Sequence, residues 1–137
     1  MNLSLSQIIQ DANARLIAGG KLNEVESYFT KDYIVHLTNR KLSGGHSTVQ
    51  SVLSAMIQAF SDIEIQVEVL LEGVDRISWQ RTMTATHSGA FKGFPASGRK
   101  IVWRDMVVSQ FEGSLIKEEW LSTDLAEQLL LSRKRSK

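Results

Sequence analysis

The stretch that decides the fold is DIEIQVEVLLEGVDRISWQRTMTATH, residues 62–87. Between positions 63 and 69, Ile and Val alternate with Glu and Gln, which is the period of two expected for a half-buried strand. The segment EGVDR at 72–76 predicts a turn. From 79 to 87 the odd-numbered positions carry Trp, Arg, Met, Ala and His, and the even-numbered ones carry Gln and Thr. These patterns predict two antiparallel strands that share one buried face.

More strands follow on the C-terminal side of this hairpin. KIVWRDMVVSQF (100–111) and LIKEEWLST (115–123) are rich in branched and aromatic residues, and EGS (112–114) reverses the chain between them. DLAEQLLL (124–131) predicts a capped helix. The second half of the chain therefore predicts a meander of antiparallel strands followed by a helix.

Helices predominate before residue 60. Each of the predicted helices begins at a possible capping box, and these are Ser4 with Gln7, Asn23 with Glu26, and Ser47 with Gln50. The first helix carries apolar residues at helical spacing until Gly19 and Gly20 end it, and the third carries them from Val49 to Phe60. Between the second and third helices, DYIVHL (32–37) predicts a strand.

Length and charge restrict the classes of protein to which the chain can belong. A chain of 137 residues with 42% hydrophobic content supports one domain with one core, which we assign to residues 1–131. Sixteen Lys and Arg against fifteen Asp and Glu give a net charge of +1, so we expect no nucleic-acid partner. The basic segment SRKRSK (132–137) has no interleaved aromatic residues and predicts a disordered tail.

Cysteine content and the first residues limit the chemistry and the location. The chain has no cysteine, which excludes disulfides, a thiolate nucleophile and a sulfur-ligated metal. The start MNLSLSQIIQDANARL has neither a basic n-region nor a long apolar run, so we expect a cytoplasmic protein without a membrane partner. The three histidines lack the spacing that metal ligands usually show, and we expect no metal and no other cofactor.

The order of the elements predicts an α+β fold. Helices followed by an antiparallel meander are expected to lie on one face of a curved sheet, which can enclose a cavity. Alternation along the strands assigns large apolar and isolated ionisable residues to the concave face, namely Trp79, Arg81, Met83, His87, Trp103, Asp105, Ile116, Glu118, Trp120 and Asp124. All three tryptophans belong to this set. Aromatic walls with few ionisable groups are typical of a pocket for a small apolar molecule.

The connection HSGAFKGFPASGRKIVW (87–103) is rich in glycine and aromatic residues. It contains the only proline of the chain and three of the nine glycines. Gly89, Gly93 and Gly98 permit backbone angles that are closed to other residues. Phe91 and Phe94 are too apolar to remain in water without a partner surface. The loop is therefore either a lid on the cavity mouth or a contact between subunits.

The same region carries a resemblance to a known family. RTMTATHSGAFKGFPASGRKIVW (81–103), FEGSLIKEEW (111–120) and DLAEQLL (124–130) resemble the SnoaL-like polyketide cyclase and ester cyclase family. The pattern of that family is a Thr-His pair, Gly-x-Phe-x-Gly, a Pro-rich turn ending in Thr-Gly-Arg, a Phe-x-x-Gly hairpin, and a terminal Trp followed by Asp. The resemblance implies the cone-shaped fold shared with nuclear transport factor two, and a homodimer or higher homo-oligomer.

The resemblance also implies a chemistry that needs no cofactor. Family members close a ring of a polyketide ester by intramolecular aldol condensation, and their acid/base aspartate matches Asp124. His87 or an indole N–H would hold the enolate oxygen, and Asp105 joins Asp124 and His87 as a candidate catalytic residue. His36 matches a histidine often found near the cavity in this family. The candidate substrate-binding residues are His36, Trp79, Arg81, Met83, Phe91, Phe94, Trp103, Glu118 and Trp120.

Alternatives remain open for these roles. Asp124 precedes a glutamate at capping-box spacing and an apolar run, so it also fits a helix N-cap without a catalytic role. His87 also fits a hydrogen bond across the base of the loop, and Arg81, Asp105 and Glu118 fit either a buried network or an exposed cross-strand lattice. Isomerisation of a small apolar carbonyl compound is left open beside the aldol condensation, and one alternative function is a non-catalytic binding module. Another is a hydrolase of the limonene epoxide hydrolase type, with Arg81 between Asp105 and Asp124.

Overall fold

A computed structural model describes residues 3–134. Along the chain the helices and strands are α1 (Leu5–Ala12), its π-helical continuation (Asn13–Ala18), a 3-10 helix (Leu22–Ser27), β1 (Phe29–His36), β2 (Lys41–Leu42), α2 (His46–Ala59), β3 (Phe60–Glu72), β4 (Arg76–His87), β5 (Lys100–Glu112), β6 (Leu115–Thr123) and α3 (Leu125–Lys134). No helix in this described part is long and apolar enough to cross a membrane.

The strands form one mixed sheet in the order β2-β1-β6-β5-β4-β3. All neighbouring strands are antiparallel except β1 and β6, which are parallel. Helices α1 and α2 pack against strands of the sheet, α3 packs against β5, and the core fills the space between these layers. The predicted α+β fold, with helices on a sheet, is confirmed.

The hairpin that was predicted from residues 62–87 forms as β3 and β4. Its register pairs Val67 with Arg81, and β4 in turn pairs Arg81 with Asp105 and Met83 with Trp103. The alternating residues of β4 and β5 that face the helices are buried. The alternating Ile and Val residues of β3 between positions 63 and 69 are only half-buried, because β3 is an edge strand of the sheet.

Two of the three helix starts differ from the prediction. The capping box of Ser4 and Gln7 is present, with both of its reciprocal hydrogen bonds. The second helix is a 3-10 helix that already begins at Leu22, so Asn23 does not cap it. Helix α2 begins after Gly45, whereas Ser47 lies in the first turn and donates its hydroxyl to the carbonyl of residue 44.

Gly45 explains why the chain turns into α2 without a side-chain cap. Its φ of 62° lies in the left-handed region, and a Cβ at this position would approach the carbonyl oxygen of Lys31 to 2.1 Å. Only glycine tolerates both conditions. The sequence pattern at Ser47 and Gln50 fits a capping box, but the close packing of Gly45 on β1 sets the start of the helix.

Other boundaries also differ from the prediction. Strand β1 begins at Phe29 rather than Asp32, β2 was not predicted, and Phe60 begins β3 instead of ending α2. Helix α3 continues through Lys134, and Ser132 is buried, so the predicted disordered tail is wrong for residues 132–134. The rest of that tail lies outside the described residues.

A β-bulge in β6 changes which residues face the helices. The register pairs Phe111 with Ile116 but Gln110 with Glu118, so Lys117 is an extra residue on β6. An extra residue reverses the alternation beyond it. Glu119 is therefore buried on the inner face, where strict alternation had predicted Glu118.

Candidate active site

An apolar cavity of about 600 Å³ lies between the inner face of the sheet and the helices. Its wall is formed mainly by aliphatic and aromatic side chains from α1, α2, β1 and the central strands. The buried polar side chains of the wall are Asn13, Tyr33, Arg81, Asp105 and Glu119. A few buried polar groups in an apolar wall are the usual composition of a site for a small molecule.

Arg81 and Asp105 form a buried ion pair across β4 and β5. Arg81 Nε donates to Asp105 Oδ2 at 2.7 Å, and Arg81 Nη1 donates to Asn13 Oδ1 at 2.8 Å. The guanidinium also lies over the indole of Trp79, 5.5 Å from the ring centroid. These contacts fix the orientation of the Asp105 carboxylate, and of the two alternatives for Arg81 and Asp105 the buried network is the one that forms.

Glu119 is the centre of a second buried group of polar side chains. Tyr33 OH lies 2.6 Å from Glu119 Oε1, and Ser109 Oγ lies 2.5 Å from Glu119 Oε2. Ser109 Oγ also accepts a hydrogen bond of 2.9 Å from Trp79 Nε1. A chain of hydrogen bonds therefore runs from Trp79 through Ser109 and Glu119 to Tyr33.

Burial determines the acidity of this group. It raises the pKa of the Glu119 carboxyl above its ordinary value, and hydrogen bonds from Ser109 and Tyr33 together with the charge of Arg81 oppose the rise. Burial, reinforced by the neighbouring Glu119, also raises the pKa of Tyr33 well above that of a free phenol. Burial of Glu119 therefore favours its neutral form.

Five of the predicted site residues line the cavity: Trp79, Arg81, Phe91, Trp103 and Asp105. Met83 and His87 are buried in the interior but lie outside the cavity wall, and Phe94 is half-buried against the core. The prediction that Met83, His87 and Phe94 contact a ligand is therefore not supported by their positions. The alternation of β4 correctly predicts that Met83 and His87 face inwards, but it does not predict where the interior is hollow.

His36, Glu118 and Trp120 lie together on the outer face of the sheet. His36 Nε2 is 2.5 Å from Glu118 Oε2, and the His36 ring stacks on Trp120 at a centroid distance of 5.1 Å. The Arg76 guanidinium lies over Trp120 at 5.3 Å. The predicted place of Glu118 and Trp120 on the concave face is wrong, because the bulge at Lys117 turns them outward. His36, which was predicted to bind the substrate near the cavity, does not line it, because His36 alternates with the inward Tyr33.

Asp124 also departs from its predicted place. Its Oδ1 accepts the backbone N–H of Arg104 at 2.8 Å, and its Oδ2 accepts the side-chain amide of Gln128 at 3.2 Å. Thr123 and Leu125 line the cavity, but Asp124 between them does not. The carboxylate joins the start of α3 to β5, which is close to the structural role that the capping-box spacing suggested.

His87 joins the two ends of the loop 88–99. Its backbone accepts from the N–H of Gly98 and donates to the carbonyl of Arg99, and its Nδ1 lies 3.3 Å from Ser97 Oγ. Its Nε2 is buried and has no hydrogen-bond partner among residues 3–134. Burial lowers the pKa of His87 below its ordinary value. The alternative of a hydrogen bond across the base of the loop is the one that its contacts favour.

The loop turns sharply at Lys92 and Gly93. Phe91 and Phe94 exchange two backbone hydrogen bonds, and the two residues between them have positive φ. The Phe91 ring packs 5.5 Å from Phe60 and forms part of the cavity wall. Phe91 thus lines the cavity, and both roles predicted for the loop, a lid and a contact between subunits, stay predictions.

Three of the buried polar residues of the cavity wall were not predicted, namely Asn13, Tyr33 and Glu119. Asn13 interrupts the apolar stripe of the first helix, and this interruption was the available signal. Tyr33 shares the alternation of Val35 in β1 and of Leu37 just beyond it, which could have assigned Tyr33 to the interior. Glu119 could not be found from alternation, because its position depends on the bulge. Within residues 3–134, no three His, Asp or Glu side chains form a group that could hold a metal ion.

The sheet, the helices on its inner face and the enclosed cavity define an α+β protein with the fold of nuclear transport factor two. The chain belongs to the SnoaL-like polyketide cyclase family, because the sequence model of that family matches residues 7–130. No curated protein matches the chain significantly.

Solved structures share this fold at low sequence identity. A candidate polyketide cyclase from Acidithiobacillus ferrooxidans has a TM-score of 0.82 and 21% identity, over 99% of this chain and 100% of its own. AclR, a candidate hydroxylase from Streptomyces galilaeus, has a TM-score of 0.81 and 19% identity, over 97% and 83%. IdmH, a candidate polyketide cyclase from Streptomyces antibioticus, has a TM-score of 0.78 and 20% identity, over 96% and 99%.

Proposed function

We propose that the protein is a cofactor-free acid/base catalyst that acts on a small, mainly apolar carbonyl compound in a cyclase-type reaction. The observation that carries the proposal is the Asp105 carboxylate, which is held by Arg81 in the wall of an apolar cavity. Membership of the SnoaL-like polyketide cyclase family supports the same kind of reaction. Asp105 replaces Asp124 as the proposed acid/base residue, because Asp124 does not line the cavity.

The proposed reaction is an intramolecular aldol condensation. Asp105 takes a proton from a carbon that lies between two carbonyl groups, and the resulting carbanion attacks another carbonyl carbon of the same molecule. A C–C bond forms, and the new alkoxide oxygen takes the proton back from Asp105. A positioned general base contributes about 10² to 10⁴ to the rate of such a step. The proton that Asp105 takes is returned to the product and the molecule undergoes no net oxidation or reduction, so the reaction needs no redox partner.

The contacts of Arg81 explain how the carboxylate is positioned. One oxygen of Asp105 is bound to Arg81 Nε, and Arg81 is itself fixed by Asn13 and by Trp79. A rigid carboxylate in a water-poor cavity needs little reorganisation when the proton moves. The apolar wall accommodates the carbon skeleton of the substrate.

Exchange of an acidic C–H in D₂O tests this proposal without knowledge of the substrate. An aromatic β-keto ester serves as the probe, and NMR follows the loss of the signal of the C–H between its carbonyl groups. We expect Asp105→Asn to slow the catalysed exchange by about 10² to 10⁴. Glu118→Gln, which changes a carboxylate on the outer face, is the matched control and should exchange at the wild-type rate. Equal rates for Asp105→Asn and the wild type would overturn the proposal.

Hydrolysis of an epoxide is a second candidate function. Arg81 contacts the carboxylate of Asp105, and its charge acts on Glu119, so a guanidinium and two carboxyl groups share the cavity wall. Such a set can orient a water molecule and donate to an epoxide oxygen. Incubation with 1-methylcyclohexene oxide distinguishes the two functions. Catalysed formation of the diol would support hydrolysis, and exchange of the β-keto ester without diol formation would support the cyclase-type reaction.

A further inference from the structure

Within the described residues, the hydrogen-bond chain around Glu119 has one hydroxyl group on a residue that lines the cavity, and this is the hydroxyl of Tyr33. Trp79, Glu119 and Tyr33 line the cavity, but the indole N–H of Trp79 is already donated to Ser109. Ser109 is 0% exposed and lies outside the cavity wall. The Tyr33 hydroxyl is therefore the member of the chain that can donate to a ligand.

The number of available hydrogens allows two arrangements of this chain. When Glu119 is ionised, the hydroxyls of Tyr33 and Ser109 both donate to it, and neither hydrogen remains for a ligand. When Glu119 is protonated, its two partners in the structure, the oxygens of Tyr33 and Ser109, are the acceptors to which its own hydrogen can be donated. The protonation state of Glu119 thus determines where the other hydrogens point.

The surroundings of Ser109 decide between the two acceptors. Its only hydrogen-bond partners among residues 3–134 are Trp79, which donates to it, and Glu119. If Glu119 donated to Ser109, the buried Ser109 hydrogen would have no acceptor, which is costly in free energy. Tyr33 has no such restriction, because its hydrogen can turn toward a ligand in the cavity. Protonated Glu119 therefore donates to Tyr33.

We propose that Tyr33 binds the carbonyl or enolate oxygen of the substrate, and that protonated Glu119 releases the Tyr33 hydroxyl hydrogen for this contact. The substrate class is a planar, conjugated carbonyl compound whose oxygen gains negative charge when a C–H proton is removed. This inference rests on the proposed function, since it supplies the oxygen-binding group for the reaction in which Asp105 takes the proton.

The charges around Glu119 agree with this role. The ionisable groups that face it are Tyr33 from β1 and Arg81 from β4, and Asp105 from β5 is paired with Arg81. Burial is the largest influence on the pKa of Glu119 and raises it, which favours the neutral acid. A neutral carboxyl beside a developing oxyanion avoids repulsion and can donate a hydrogen bond through Tyr33.

Binding of 2,4-dinitrophenolate tests the inference, because this anion presents a planar, conjugated oxyanion and stays ionised from about pH 6 to about pH 9. Isothermal titration calorimetry measures its Kd. For the wild type we expect Kd to rise by about tenfold per pH unit above the pKa of Glu119. The reason is that only protein with protonated Glu119 binds the anion in this way, and its fraction falls about tenfold per pH unit in that range. Tyr33→Phe should weaken binding about tenfold or more at the acidic end and remove the pH dependence.

Glu119→Gln is the decisive variant. Its amide N–H can donate to Tyr33 while its Oε1 accepts from Ser109, so it reproduces the protonated arrangement at every pH. We expect Glu119→Gln to bind the phenolate as tightly at alkaline pH as the wild type does at acidic pH. Loss of binding in Glu119→Gln, retention of the wild-type pH dependence in it, or wild-type binding by Tyr33→Phe would each overturn the inference.

A neutral probe distinguishes a loss of oxyanion binding from a folding defect, and the Asp105→Asn variant distinguishes a failure of this inference from a failure of the proposed function. 2,4-Dinitrotoluene has a similar shape without the oxyanion and should bind the wild type, Tyr33→Phe and Glu119→Gln with similar Kd, which shows an intact cavity. Asp105→Asn should keep the pH dependence of phenolate binding. If that variant also exchanges C–H at the wild-type rate, the proposed function fails while the role of Tyr33 in oxyanion binding stands.

Discussion

Asp105 and Glu119 are both carboxyl side chains in the cavity wall, but their partners differ. Asp105 contacts the guanidinium of Arg81, and Glu119 contacts the hydroxyls of Tyr33 and Ser109. The ion pair with Arg81 suits a charged Asp105 that acts as a base, whereas the hydroxyl partners of Glu119 suit a neutral acid. In the proposed reaction the two residues therefore act on opposite ends of the same carbonyl unit.

Glu119 should make the stability of the fold depend on pH. Its pKa in the folded protein lies above the ordinary 4.5, so the folded state holds a proton that the unfolded chain has released. The free energy of unfolding should therefore fall as pH rises from 4.5 through the raised pKa. Glu119→Gln should flatten this slope in urea denaturation at a series of pH values. An unchanged slope would contradict a buried carboxyl that favours its neutral form.

His87 should give the opposite dependence at lower pH. Burial lowers its pKa below 6.5, so the unfolded chain takes up a proton before the folded protein does. Stability is then lost as pH falls below 6.5. His87→Phe, which keeps a ring beside Phe60 and removes the unpartnered Nε2, should weaken this loss. A loss of the same size in the wild type and the variant, measured by thermal melts, would show that His87 is not the titrating group.

At the scale of single elements, the loop 88–99 offers a matched pair of phenylalanines. Phe91 lines the cavity, and Phe94 is half-buried outside the cavity wall. If the loop is a lid, Phe91→Ala should raise the Kd of 2,4-dinitrotoluene about tenfold through lost apolar contact, and Phe94→Ala should change it much less. Calorimetric titrations of both variants measure the difference. Equal effects of the two substitutions would argue against a lid and leave the subunit contact as its role.

The elements show which parts of the site the sequence could predict. Strict alternation in β4 and β5 correctly placed Trp79, Arg81, Trp103 and Asp105 on the inner face. The same rule failed in β6, because a bulge inserts one residue and no composition signal marks it. The bulge lies in the hairpin of β5 and β6 and shows only in the register, where Phe111 pairs with Ile116 but Gln110 pairs with Glu118. Glu119 was therefore hidden from periodicity, although its neighbours were assigned to the correct strand.

At the scale of the whole molecule, the order of helices and strands was sufficient to predict the α+β fold. The change from helical spacing to alternation near residue 60 marks the boundary between the two kinds of element. The cavity depends on how far the helices stand from the sheet, and no local pattern encodes that distance. Met83 and Trp103 show this limit, since they are neighbours on paired strands but only Trp103 lines the cavity.

The central claim is that the catalytic carboxylate is Asp105 and not Asp124. The most direct measurement is the rate of C–H exchange of the aromatic β-keto ester in D₂O with Asp105→Asn and with Asp124→Asn. We predict that Asp105→Asn loses about 10² to 10⁴ of the catalysed rate, whereas Asp124→Asn keeps it and loses about 1 kcal/mol of stability. A large loss of rate in Asp124→Asn, with Asp105→Asn still active, would contradict the account.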